Sequence, residues 1–167
     1  MPNTTYGTPY VSSSDYVTNY PTVSQALANQ IDVILGPLTT AWTTFTPTLL
    51  QSATPTQTIN RARYLKVGRM VKVYADISIG SGTSGTSGQI ITFNFSGACT
   101  AADTRAIYGG FRHFDAGVTN YVGMALGATT TTANFYVDGY GANHGQQPVQ
   151  LTSGDVFQVW LTIEAAS

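Results

Sequence analysis

Val71, Val73, Ala75, Ile77 and Ile79 alternate with Lys72, Tyr74, Asp76 and Ser78. A period of two over nine residues predicts a strand with one face buried. The same alternation returns at the end of the chain. Across Val156–Glu164, Phe157, Val159, Leu161 and Ile163 share one face, and Trp160 falls on the opposite one. An outward Trp on a half-buried strand needs a second cover, either a loop or a subunit interface, where Trp is enriched. Further strands are predicted at Ile90–Phe95, Ala106–Phe111, Tyr121–Leu126 and Ala133–Val137. Turn chemistry separates them: Gly109-Gly110, Asp138-Gly139, Gly141-Ala142-Asn143 and Ser153-Gly154-Asp155. The run Ser81–Gly88 reads as a flexible loop forming a long hairpin connection. From Trp42 to Ser167 the pattern is therefore strand and turn, as in an antiparallel β-sandwich of the jelly-roll kind.

One segment has a different period. Val23, Leu27, Ile31, Ile34 and Leu38 recur at intervals of four, four, three and four, which predicts a helix over 22–35 with a heptad-like seam. Thr22 and Gln25 have the spacing of a capping box, and Gly36-Pro37 supplies the stop. A helix of this length is marginal alone in water, so the seam needs a partner. It packs on its own β-domain or meets two further copies on a shared axis as a stalk. Before the helix, residues 1–21 carry Tyr6, Tyr10, Tyr16 and Tyr20 among Pro, Gly and Ser. No period persists there, and the expectation is an extended arm. Four tyrosines exceed what a disordered tail carries, so the arm is either a frayed terminus or an anchor docking through its rings.

Composition narrows the function. Charged residues are 9% of the chain, against roughly 25% in ordinary soluble domains. Threonine is more numerous than all charged residues combined. Such a chain stays soluble through hydroxyls and subunit contacts rather than a charged coat. It has few ionisable groups to converge for catalysis. The net charge of -1 provides no global field for nucleic acid or an acidic membrane. Cys99 stands alone, so no intramolecular disulfide or cysteine-based zinc site is available, and it reads as a buried, inert thiol. No secretory signal or apolar run of membrane-spanning length is present, so synthesis and folding in a cytoplasm are expected, without membrane insertion.

Candidate chemistry is sparse. His113 and Asp115 form a His-x-Asp pair, and His144 lies in a Gly/Asn stretch. Three or four metal ligands do not assemble from these, and His113 reads as a surface histidine in a turn. No Gly-x-Ser-x-Gly turn, converging carboxylate pair or phosphate-cradling loop is legible, so no catalytic residue, metal or cofactor is expected. Arg61, Arg63, Lys66, Arg69 and Lys72 concentrate five of the seven basic residues within twelve positions, beside Tyr64 and Tyr74. Such a cluster reads as a solvated strand face, a protein interface, an acidic-glycan site or a single-strand nucleic-acid site.

Two segments carry a resemblance. Trp42-Thr43-Thr44-Phe45-Thr46-Pro47-Thr48-Leu49, followed by Arg63-Tyr64-Leu65-Lys66-Val67-Gly68-Arg69-Met70-Val71-Lys72-Val73, resembles strands that open the β-domain of tailed-bacteriophage tail-fibre and virion surface proteins. Tyr6–Val11, Asp15-Tyr16-Val17 and Ala26-Leu27-Ala28 are similar to leaders of short phage tail or decoration proteins. The likeness covers roughly residues 6–80. It implies a homotrimer, located in the virion, whose N-terminal part binds other phage proteins while a β-domain projects outward. On that expectation residues 1–21 anchor through Tyr6, Tyr10, Tyr16 and Tyr20. Residues 22–38 set the axis through Val23, Leu27, Ile31, Ile34 and Leu38, with Trp160 as a further interface residue. Residues 42–167 form the knob. Loops near His113, Tyr140, Asn143 and His144 would face a host-surface glycan. Head decoration, with the arm and helix docked on the capsid protein, is the alternative. A free sugar-binding module or depolymerase is a further one.

Overall fold

The computed structural model describes residues 20–39, 42–137 and 150–166. Tyr6, Tyr10, Tyr16, Tyr140, Asn143 and His144 lie outside them. For Tyr20, Ile34 and Leu38 only the backbone is described. The chain divides into two units, Met1–Ala41 and Trp42–Ser167.

In the first unit, helix α1 spans Tyr20–Thr39. It starts two residues earlier than the capping spacing predicts, which places Thr22 inside the helix rather than at its cap. Pro21 fits the first turn because its missing N–H would have no helical acceptor there. Ser24 Oγ donates to the Pro21 carbonyl at 3.0 Å, and Gln25 Nε2 to Asn29 Oδ1 at 2.9 Å. The helix also continues through Gly36-Pro37, the expected stop. A proline in the last turn removes only one helical donor, which a helix end tolerates better than its middle. Along the seam Val23 is buried, whereas Leu27 and Ile31 are 37% and 42% exposed.

The second unit is mainly β. Its strands are β1 (Thr43–Thr44), β2 (Thr48–Leu50), β3 (Gln57–Val67), β4 (Met70–Ile79), β5 (Thr92–Asn94), β6 (Ile107–Asp115), β7 (Thr119–Thr129), β8 (Thr132–Val137) and β9 (Val156–Glu164). All nine join in one antiparallel sheet of order β1-β3-β4-β9-β6-β7-β8-β5-β2. β1 and β2 are its opposite edges, yet only Phe45, Thr46 and Pro47 separate them in sequence. Eight strand spacings of about 4.8 Å would set the edges of a flat sheet roughly 38 Å apart. The four-residue step from Thr44 to Thr48 spans at most roughly 14 Å. The sheet must therefore curl, and it forms a half-barrel with one face turned inward. A hydrogen bond from the Leu49 amide to Gln57 Oε1, 3.0 Å long, ties β2 to β3 across the gap.

The inner face is filled by the alternating residues read from the sequence. Val71, Val73, Ala75, Ile77 and Ile79 of β4 meet Phe157, Val159, Leu161 and Ile163 of β9, all buried. At the centre Phe111 and Phe157 stack with ring centroids 5.1 Å apart and planes 5° apart, and Phe135 sits 4.6 Å from Phe111 and 4.9 Å from Phe157. Such contacts add to the gain from area burial.

Four local expectations change. The segment 63–73 is a hairpin rather than one strand: Gly68 takes a φ of 57° between β3 and β4. Gly109-Gly110 is not a turn but mid-strand in β6, at a bulge, where a Cβ on Gly109 would collide with the Trp160 carbonyl of β9. The Ser81–Gly88 loop is no hairpin connection, because β4 and β5 are not neighbours. It is also pinned: Thr86 N donates to the Gln51 carbonyl and Gly85 N to the Leu151 carbonyl, both at 2.8 Å. The buried Gln51 side chain accepts from Leu151 N at 2.8 Å and donates to the Gln89 carbonyl at 3.1 Å. Cys99 is half-buried against the core rather than fully enclosed, and burial pushes its thiol pKa up.

Truncating the central ring tests this account. Phe111→Ala should cost about 3–5 kcal/mol. Urea unfolding should show that loss as a lower midpoint, because the stacked rings on either side cannot collapse into the space.

Candidate binding face

His113 is not on a surface turn. It lies on the inner face of β6 with its side chain fully buried, and it packs 5.3 Å from the Phe157 ring centroid. Its Nε2 is 3.4 Å from Asp155 Oδ2, without hydrogen-bond geometry, and among the described residues neither ring nitrogen has a hydrogen-bond partner. Asp155 is better satisfied. Its Oδ1 accepts from Ala116 N at 3.0 Å and its Oδ2 from Thr152 N at 2.7 Å. One buried carboxylate thus ties the turn after β6 to the turn before β9. Asp115 is also buried, and desolvation raises its pKa above the usual carboxylate value. A His with two carboxylates looks catalytic on paper. Here the His113 and Asp155 side chains have no solvent contact, and it is Asp155 that joins the two turns. Among the described residues no group of three or more His, Cys, Asp or Glu is placed to hold a metal, and no helix is long and apolar enough to cross a membrane.

The outer face of the sheet is different. Strand pairing sets Arg63 of β3 beside Tyr74 of β4, Tyr74 beside Trp160 of β9, and Trp160 beside Gly110 of β6. These residues form one transverse row, because partners in register point to the same side. Trp42, just before β1, completes it. The Arg63 guanidinium carbon lies 4.7 Å from the Trp42 ring centroid and 5.8 Å from that of Tyr74, both within cation–π range. Trp160 faces outward as its alternation predicts and is 46% exposed. Its indole rests over Gly110: Cζ2 and Nε1 are 3.0 Å from where a Cβ would stand. Glycine there lets the ring lie close to the sheet.

Beside the row is a cleft of about 460 Å³ lined by Trp42, Thr44, Phe45, Asn60, Arg61 and Arg63 among others. The Arg63 Nε is buried and, among the described residues, has no hydrogen-bond partner. The neighbouring carboxylate, Asp76, is occupied: Asn60 Nδ2 donates to one oxygen at 2.9 Å and Gln158 Nε2 to the other at 3.0 Å. A second depression, of about 520 Å³, is lined by Arg69, Met70, Tyr108 and Glu164, but there Arg69 and Glu164 pair with each other at 3.1 Å. The Trp42–Arg63 cleft thus holds two arginines without a carboxylate ion pair among the described residues, Arg61 and Arg63, although Asp76 lies in register with Arg61.

The basic cluster at 61–72 was legible in the sequence, as was outward Trp160. Their union was not, since it depends on β4 lying between β3 and β9. Trp42 as a lid on Arg63 had no signal beyond its place in the motif. Comparison with known proteins matches no family model, no curated protein and no solved structure.

The buried histidine gives a pH dependence. Desolvation holds His113 below its ordinary value of 6.5, against upward pulls from Asp155 and Asp115. Below 6.5 the unfolded chain takes up a proton that the folded one refuses, so acid favours unfolding. Stability should be full above about pH 7 and fall as pH drops through 6.5. His113→Phe should remove that slope and change stability at pH 8 by less than about 1 kcal/mol, because no hydrogen bond is lost. Urea midpoints measured from pH 8 to pH 5 check both.

Proposed function

We propose that this chain is a non-enzymatic bacteriophage virion structural protein of the tail-fibre or receptor-binding type. In this reading residues 1–21 anchor it to other phage proteins, 22–38 set a homotrimer axis, and 42–167 form the displayed knob. The observation that carries it is the contrast between the two faces of the sheet. The inner face is closed and packed, while the outer face offers an exposed aromatic–arginine row. A molecule so arranged is suited to binding at its surface rather than to enclosing a reaction. The low charge content and the motif resemblance at 42–49 and 63–73 support the same role. In the trimer, Leu27 and Ile31 supply contacts that the single chain leaves exposed. Val23 contributes little, being buried already. The curled sheet serves as a jelly-roll-like knob, its opposite walls acting as the two layers of a sandwich.

Head decoration is the second reading. It is favoured by an apolar strip on β6, β7 and their connecting turn, where Ile107, Phe114, Val118, Val122 and Met124 are exposed and which meets the aromatic row at Met124, across Gly110 from Trp160. Repeated burial against a capsid neighbour would cover that strip.

Immunogold labelling of purified particles decides between them. Label at the tail supports the receptor-binding role, label on the head supports decoration, and no label on particles rejects both. Deleting residues 1–38 should leave a folded, monomeric knob that no longer incorporates. A truncated protein that stays trimeric in light scattering would refute the stalk.

A further inference from the structure

The outer-face row has a shape and a charge that together select a ligand. Trp42, Arg63, Tyr74 and Trp160 extend across four strands, roughly 14 Å at the usual strand spacing. The row is one residue wide. On one side the register places Leu65, Lys72 and Thr162, on the other Arg61, Asp76, Gln158 and Arg112, and past Gly110 the row continues to Met124. A protein interface of ordinary kind has a broad apolar centre and a polar rim. Here, from Trp42 to Trp160, an aromatic track runs between flanks that carry hydrogen-bonding side chains at every position but Leu65, which suits a chain of sugar rings. The apolar faces of the sugars would lie on the indoles and their hydroxyls would meet the flanking groups. The cleft of about 460 Å³ at the Trp42 end has the capacity of a small-molecule site.

The charge at that end narrows the choice. Arg61 and Arg63 both line the cleft, Lys72 lies one residue pair away, and the nearby Asp76 already accepts from two amides. Arg63 is held between two rings, which fixes its planar fork before any ligand arrives. Such a fork matches a carboxylate in two parallel hydrogen bonds. A nucleic acid would need more phosphate neutralisation than the four cations Arg61, Arg63, Lys72 and Arg112 on a chain of net charge -1 provide.

We propose that the Trp42–Arg63–Tyr74–Trp160 row binds a carboxylate-bearing oligosaccharide, with Arg63 receiving the carboxylate in the cleft and Trp160 stacking a neighbouring ring. This names the ligand class for the receptor-binding role proposed above, and it rests on that role.

The test uses the full chain. Oligogalacturonate and oligosialic acid are titrated in separate arms, alongside fully methyl-esterified oligogalacturonate, with tryptophan fluorescence and calorimetry as readouts. One or both acids should bind and perturb the emission, more weakly at high salt, and the uncharged ester should bind at least about tenfold more weakly. Arg63→Gln should weaken acid binding roughly tenfold to a hundredfold. Arg63→Lys should restore only part of it, because the fork is lost. Trp160→Ala should reduce both binding and the fluorescence change, whereas Lys66→Gln, outside the row, should leave affinity unchanged. Thermal unfolding of each variant separates lost binding from lost fold. Failure of both acids to bind, equal binding of acid and ester, or an unaltered affinity in a folded Arg63→Gln protein overturns the proposal. So does preferential capture of a single-stranded oligonucleotide at the same residues. Particle labelling reports separately. Tail label without acid binding refutes the sugar and keeps the virion role; acid binding without particle label does the reverse.

Discussion

Closure of the sheet governs this molecule. Phe45-Thr46-Pro47 is all that joins the first edge strand to the other edge of a nine-stranded sheet. That short tether forces the curl, and on its inner face Phe111, Phe135 and Phe157 gather into one ring cluster. The hydrophobic term then favours the curled form, because each inward side chain leaves water on every wall at once. The hydrogen bond between Leu49 and Gln57 and the buried Gln51 hold the seam where strand pairing stops. Polar groups placed there have directional partners, so they fix the geometry instead of merely tolerating burial.

The same closure separates the tasks of the two faces. On the inside His113 and Asp115 are buried, and Asp155 accepts from backbone amides of two turns. The exposed Trp160 and the ring-flanked Arg63 lie on the convex side. There the low charge content matters in a second way. Among the few cations of the chain Arg63 is set between two aromatic rings, which lower its exposure to water. A cation–π contact stabilises such a side chain without neutralising it. Arg69, exposed and paired with Glu164, shows the ordinary alternative, a surface ion pair of little consequence.

The helix has a different energetic basis. Twenty residues with exposed Leu27 and Ile31 are not stabilised by propensity alone. The β unit, by contrast, has a core of its own.

Alternation alone was enough to place β4 and β9 and to assign their buried and outward residues, Trp160 included. That works because a strand with one wet face writes its burial into every second residue. The heptad spacing likewise revealed α1, though its ends moved: a proline is tolerated in a first or last turn. Tertiary structure decided the rest. Gly109 and Gly110 look like a turn in isolation, yet they serve a strand because β9 and the Trp160 ring come too close for a side chain. His113 looks like a surface histidine until β6 extends beneath it and buries it against Phe157. The union of Arg63, Tyr74 and Trp160 depends on strand order, and strand order is set by which distant segments share a core. No local spacing encodes that, because residues about a hundred positions apart in the chain become neighbours only when the sheet closes.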